Sequence, residues 1–125
     1  MKKYLIILLI SLQSNSQNLV EKIIFKSANP FSFHDVITDL KNQETQEVFG
    51  NLVIPYDSLN PEKKYPLVFG VAGSLGWKKH HYEYLIMYQD LGFATFELNS
   101  FKSRRIESTV GDQTQVTTAA MVLDA

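Results

Sequence analysis

Cysteine is absent from the sequence, and its absence removes several kinds of chemistry. The chain has no disulfide, no thiolate metal ligand, no cysteine nucleophile and no lipid-modified N-terminal cysteine. The sequence also lacks an excess of positive or negative charge, since the net charge is only −1. No strong electrostatic field therefore attracts nucleic acid or an anionic membrane. A Gly-x-Ser-x-Gly motif, which surrounds the nucleophile of many serine enzymes, does not occur.

The composition is that of an ordinary globular domain, with 45% apolar and 20% charged residues. A chain of 125 residues is long enough for one small domain with a modest core. One basic cluster, formed by Lys102, Arg104 and Arg105, is too small to change the overall charge balance. We expect this cluster to lie in a solvated loop.

The first residues have the layout of a secretory signal peptide. Met1-Lys2-Lys3 is positively charged, Tyr4 to Leu12 is nearly all apolar, and Ser14-x-Ser16 offers small residues before a cut at Gln17. The apolar run is far shorter than the ~20 residues that span a bilayer, so no membrane span is expected. We predict residues 1–16 to be a signal peptide and the mature protein to be secreted or periplasmic. The alternative is a buried first strand or helix of a cytosolic protein.

Two strands that form a hairpin are predicted after a leader, residues 17–32, which shows no clear period. Apolar and polar residues alternate from Phe31 to Lys41, which favours an exposed strand. Val48 to Tyr56 is predicted to be the second strand, and a polar turn separates the two.

A strand–helix–strand unit is predicted in the middle of the chain. Pro66 to Ala72 is a continuous apolar run, as in a central strand buried on both faces. His80 to Leu91 fits a helix that ends at Gly92, and Phe93 to Leu98 is the next strand. The predicted apolar face of this helix comprises Tyr84, Met87, Tyr88 and Leu91. Two parallel strands joined by a helix indicate an α/β fold.

A last helix is predicted from Asp112, which is suited to cap it together with Gln115. Its apolar positions are Val116, Ala119, Ala120 and Leu123. The pattern is unfinished at Ala125, with no glycine and no basic last turn, so we expect the complete protein to continue beyond this residue.

Three stretches together resemble the first half of the dienelactone-hydrolase family of α/β-hydrolases. They are Lys64–Trp77 (KYPLVFGVAGSLGW), Leu91–Phe101 (LGFATFELNSF) and Ser108–Thr117 (STVGDQTQVT). The resemblance covers residues 33–125 and implies the N-terminal part of an α/β-hydrolase domain, with hairpin strands followed by a βαβ unit. In that fold, the strand at Leu67–Ala72 lies between the strand at Phe93–Leu98 and a further strand beyond Ala125.

The resemblance also implies an activity, the hydrolysis of carboxylic esters or related acyl compounds. The nucleophile (Ser or Cys), an Asp or Glu and a His would all lie downstream of this chain. No cofactor is implied, the partner is a small-molecule ester or acyl substrate, and nothing indicates the oligomeric state.

The loop after the predicted central strand is the candidate site. In the family, the residue after the first glycine of this loop donates its backbone N–H to the oxyanion. Here that residue is Ser74, with Leu75 as the second choice. A Gly-x-x-Gly loop can turn such N–H groups towards a ligand. The alternative is a plain strand-to-helix turn.

Two positions depart from the family's pattern, since Ala72 stands where the family commonly has His, and Asn99 where it often has Asp. Together with the missing nucleophile motif, they leave two alternatives open: a non-catalytic α/β binding module and a degenerate gene fragment. The aromatic candidates for an acyl pocket are Trp77, Tyr82 and Tyr84, although such residues more often pack in a core. His80 and His81 face different ways on the predicted helix, so we predict no metal site.

Overall fold

Residues 18–125 are described by the computed structural model, so the predicted signal peptide lies outside the described residues. They form a mixed α/β fold around a sheet of four strands, which are β1 (Asn18–Ala28), β2 (Thr45–Pro55), β3 (Leu67–Val71) and β4 (Ala94–Leu98). Their order in the sheet is β1-β2-β4-β3. The helices are α1 (Phe33–Thr38), α2 (Lys79–Asp90), α3 (Ser100–Ser103) and α4 (Thr118–Asp124), with a 3₁₀ turn at Leu40–Asn42. Each helix in this range falls short of the length and apolar character needed to cross a membrane.

The hairpin is formed by β1 and β2, which pair antiparallel from Asn18 opposite Pro55 to Ala28 opposite Thr45. β1 therefore lies inside the segment predicted to be a leader. Most of its side chains are exposed, which explains why the sequence shows no clear period there. The second strand was predicted at Val48–Tyr56 and is confirmed, with an earlier start.

The strand predicted at Phe31–Lys41 is wrong, because this segment contains α1. The Ser32 hydroxyl accepts a hydrogen bond from the N–H of Asp35 at 3.3 Å, and the Asp35 carboxylate accepts one from the N–H of Ser32 at 2.8 Å. This capping box satisfies N–H groups that a helix start leaves free. The local cap therefore outweighs the alternation of apolar and polar residues.

The strand–helix–strand unit is confirmed. β3 and β4 are parallel, with Leu67 opposite Ala94 and Val71 opposite Leu98, and α2 connects them. Gly92 has a φ of +84°, the left-handed conformation expected just after the helix. The prediction that β3 is buried on both faces is wrong within residues 18–125, because Leu67, Phe69 and Val71, which alternate onto one face, are 53%, 40% and 45% exposed. β3 pairs only with β4 in these residues and forms an edge of the sheet.

The face of α2 that packs on the sheet is not the predicted one. Leu85 is buried, and Tyr82 beside it donates a hydrogen bond to Glu97 of β4 at 3.0 Å. Gln89 likewise donates to Thr95 Oγ1 of β4 at 2.7 Å. The predicted face instead carries three exposed residues, Tyr84, Met87 and Leu91. Polar pairs orient this helix, and the spacing of apolar residues does not reveal them.

α4 begins later than predicted, at Thr118, because Thr117 caps it by accepting a hydrogen bond from the N–H of Ala120 at 3.1 Å. Asp112 does not cap this helix and instead accepts a hydrogen bond from the N–H of Thr114. The apolar side of α4 and the residues before it are covered, and the buried positions are Val116, Ala119 and Ala120.

The cluster predicted to be a solvated loop contains a buried charge. The Arg104 side chain is 5% exposed, and its guanidinium donates to both carboxylate oxygens of Asp124 in α4, at 2.6 and 3.0 Å. It also donates to Asn29 Oδ1 and to the main-chain oxygens of Ala28 and Ser100. All five N–H donors of the guanidinium are thus used, and one side chain joins α4, the end of β1 and α3.

The apolar core on one face of the sheet is centred on Val48, Phe96 and Leu98, none more than 7% exposed. Burying such a side chain contributes ~1.5–3 kcal/mol. Gly50 makes room for the Phe96 ring, since a Cβ at position 50 would lie 2.1 Å from it. The core fixes the carboxyl end of β4, where the candidate site is built.

Candidate functional site

A cavity of about 340 Å³ lies at the carboxyl ends of β3 and β4. Ligand sites of parallel α/β sheets commonly form at the carboxyl ends of the strands. Most of the wall is apolar and comes from Val71, Leu75, Trp77, Leu98, Phe101 and Met121. The neutral polar groups are those of Asn99 and Ser100, and the charged neighbours are Lys78, Lys102 and Glu107.

The loop after β3 forms a tight turn, closed by a hydrogen bond of 2.8 Å from the N–H of Gly76 to the oxygen of Gly73. Gly76 has a φ of +70°, which favours glycine. A Cβ at this position would also lie 2.8 Å from the main-chain oxygen of Glu107. Glycine is therefore required at position 76, and Ser74 and Leu75 are the two central residues of the turn.

Further hydrogen bonds hold this turn against its neighbours. The main-chain oxygen of Ser74 accepts from the N–H of Thr109 at 2.8 Å and from the hydroxyl of Ser108 at 3.0 Å. Trp77 Nε1 donates to the main-chain oxygen of Leu98 at 2.7 Å. These bonds fix the loop although Ala72 supplies no imidazole.

The N–H groups of Ser74 and Leu75, which the resemblance implies as oxyanion donors, belong to the middle of this turn. The N–H groups of Ser74 and Leu75 have no protein acceptor within residues 18–125. Both residues are exposed, but only Leu75 lines the cavity, and Ser74 lies outside its wall. Fixed N–H groups can stabilise negative charge that develops on a ligand oxygen, because they need no reorganisation.

Asn99 and Ser100, which follow β4 directly, carry buried oxygens without a partner. Asn99 is 1% exposed and Ser100 is 5% exposed. Asn99 Oδ1 and Ser100 Oγ make no hydrogen bond in the described part of the chain, and an unpaired buried group costs ~1–3 kcal/mol. Sequence reasoning noted Asn99 only as a departure from the family pattern and missed Ser100. Their position at the end of a parallel strand was the available signal.

A second polar cluster surrounds Glu97, on the α2 side of β4. Its carboxylate accepts hydrogen bonds from Asn51 Nδ2 at 2.8 Å and from the Tyr82 hydroxyl at 3.0 Å, and lies 3.8 Å from Lys102 Nζ. Burial, followed by the hydrogen bond to Glu97, raises the pKa of Tyr82 to about 12. Of the three aromatic residues considered for an acyl pocket, Trp77 lines the cavity and the two tyrosines do not.

None of the three histidines lines the cavity. His81 Nδ1 accepts a hydrogen bond from the N–H of Lys78 at 2.9 Å. Desolvation, and then the neighbouring His80, lowers the pKa of His81. No three His, Asp or Glu side chains of residues 18–125 converge as metal ligands. These residues therefore supply a cavity and a hydrogen-bonded turn with N–H groups beside it.

No protein-family model matches the chain, and no curated protein or solved structure matches it significantly.

Proposed function

We propose that this chain is the N-terminal part of an exported α/β-hydrolase of the dienelactone-hydrolase kind, which acts on carboxylic esters or related acyl compounds. The observation that carries the proposal is the turn Gly73–Gly76 beside an apolar cavity, where the N–H groups of Ser74 and Leu75 have no acceptor within residues 18–125. Acyl transfer needs such donors, because the carbonyl oxygen becomes negatively charged in the transition state.

The sheet supports the same proposal. β3 pairs only with β4, so its other edge is open within the described residues. The resemblance requires a further parallel strand at this edge. Parallel strands end on the same side of a sheet, so a nucleophile just after that strand would lie near the cavity and the turn.

The proposed reaction proceeds through an acyl-enzyme. The nucleophile of the complete protein attacks the acyl carbonyl carbon, and the oxyanion accepts a hydrogen bond from the N–H of Leu75 or Ser74. Expulsion of the alcohol leaves the acyl-enzyme, and water then hydrolyses it. One such donor contributes about 2.7–4 kcal/mol of transition-state stabilisation. The apolar wall at Trp77 and Leu98 would hold the acyl group and exclude water.

Burst kinetics with 4-nitrophenyl acetate test this proposal. The complete gene product should release a stoichiometric burst of 4-nitrophenol and carry an acetyl adduct detectable by mass spectrometry, because this activated ester acylates the nucleophile faster than water hydrolyses the acyl-enzyme. The 125-residue chain is the control, and it should give neither signal. Saturable binding by the complete product without burst or adduct would favour the non-catalytic binding module instead.

A further inference from the structure

Asn99 and Ser100, two consecutive residues at the end of β4, each carry a buried side-chain oxygen without a hydrogen-bond partner in the described residues. Asn99 Oδ1 and Ser100 Oγ are the buried side-chain atoms without a hydrogen-bond partner in residues 18–125, and both residues line the cavity. The N–H of Asn99 donates to the oxygen of Phe49 at 3.0 Å, and its Nδ2 donates to the oxygen of Glu97 at 3.2 Å. The two residues are adjacent in sequence, and these two hydrogen bonds hold Asn99 in place.

We infer that Asn99 and Ser100 recognise a hydroxyl group on the acyl part of the substrate. Asn99 Oδ1 can only accept a hydrogen bond, whereas the Ser100 hydroxyl can donate one. A ligand hydroxyl satisfies both, since its proton goes to Asn99 and its oxygen accepts the proton of Ser100. An ether leaves Asn99 unpaired, and a carboxylate places a second acceptor opposite it.

The rest of the cavity indicates the size and polarity of this ligand. Trp77, Leu98 and Phe101 provide apolar contact, and a volume of about 340 Å³ is suited to a small molecule. Lys102 is engaged with Glu97, at 3.8 Å, so its charge is partly balanced. The inference rests on the proposed function, because it assigns this cavity to the acyl group of a substrate.

Trp77 makes this inference measurable. It is the single tryptophan of the sequence and lines the cavity, so its fluorescence reports occupancy. The full chain is titrated with benzyl alcohol and with benzyl methyl ether, which lacks the hydroxyl proton. We expect the alcohol to bind about tenfold more tightly, because the ether leaves a buried acceptor unpaired.

Variants then show which residues cause the preference for the alcohol over the ether. Ser100→Ala and Asn99→Leu should each reduce the preference for the alcohol to about twofold or less. Ser58→Ala changes an exposed serine and is the matched control, which should keep the preference. Ser100→Ala removes a hydroxyl without a partner, so its melting temperature should not fall. A stable variant with weaker alcohol binding separates recognition from folding.

Three results would overturn the inference: equal affinity for alcohol and ether, an unchanged preference in stable Ser100→Ala, or no Trp77 response to the alcohol. In each case Asn99 Oδ1 and Ser100 Oγ would bind only water and no ligand hydroxyl. Failure of the proposed function would give a different set of results. A preserved alcohol preference without an ester burst rejects the hydrolase, whereas a burst without the preference rejects only the hydroxyl site.

Discussion

The indole Nε1 of Trp77 and the main-chain oxygen of Leu98 lie 2.7 Å apart, and this hydrogen bond joins the loop after β3 to the end of β4. Gly70 of β3 leaves room for the indole, since a Cβ there would lie 2.6 Å from Trp77 Cη2. The position of the candidate oxyanion turn therefore depends on contacts between two strands as well as on the turn itself.

Replacing Trp77 by Phe should lower the free energy of unfolding by about 2–3 kcal/mol, because it removes this hydrogen bond and part of the packing. Urea denaturation followed by circular dichroism measures the change. Tyr84→Phe alters an aromatic residue that is 60% exposed, and should change stability by less than about 0.5 kcal/mol. Equal stability of Trp77→Phe and the unmodified chain would contradict this role.

Gly76→Ala should destabilise the loop by about 1–3 kcal/mol, because the residue has a φ of +70° and a Cβ would lie 2.8 Å from the oxygen of Glu107. Gly73→Ala, at the other end of the turn, is the control, since a Cβ there would meet nothing within 4 Å. Thermal unfolding of the two variants makes the comparison. The account is wrong about this turn if both variants melt alike.

Arg104→Ala should lower the free energy of unfolding by about 3–5 kcal/mol, because it leaves the buried carboxylate of Asp124 without its cationic partner and with the Ser27 hydroxyl as its remaining donor. Arg104→Lys should recover only part of this loss, since an ammonium cannot reproduce the five guanidinium donors. Arg105→Ala changes the exposed neighbour and is the control. Denaturation midpoints measure all three, and a midpoint for Arg104→Ala equal to that of Arg105→Ala would contradict the buried pair.

Ionisation of Tyr82 should lower the free energy of unfolding in alkaline solution. Its pKa in the folded chain is about 12, above the ordinary value of 10.0, because of burial and then Glu97. The stability linked to this raised pKa is fully present below pH 10 and is lost as the pH rises through about 12. Between these values the unmodified chain should lose about 1–2 kcal/mol more than Tyr82→Phe, allowing for partial exposure. Urea denaturation across this range measures the difference, and parallel pH curves would refute the linkage.

The strand–helix–strand unit could be predicted from the sequence because its signals are local. The apolar run before Gly73 and the glycine after α2 need only their neighbours in sequence to be interpreted. The α1 segment shows the limit of this approach, since Ser32 and Asp35 form a cap that outweighs an alternating pattern over the same residues.

Other parts of the fold, and the polar atoms of the site, depend on contacts between distant residues. Arg104 meets Asp124 twenty positions later and Asn29 seventy-five positions earlier, so its basic neighbours alone suggest a solvated loop. Whether Asn99 Oδ1 has a partner depends on what the fold brings near it, and the sequence does not record that. Residue types at a strand end can suggest a site, but only the packed structure shows which polar atoms lack partners.

The central claim is that an N–H of the turn Gly73–Gly76 binds the oxyanion, and the kcat of the complete gene product for 4-nitrophenyl acetate tests it most directly. Proline suits the first central position of a turn and removes the N–H of Ser74, whereas Ser74→Ala keeps it. An amide-to-ester replacement at Leu75 removes the second candidate donor. We predict that Ser74→Pro or the Leu75 ester lowers kcat by about 10²–10³, while Ser74→Ala changes it little. Full kcat in both donor-deleted forms, at unchanged melting temperature, would contradict the account.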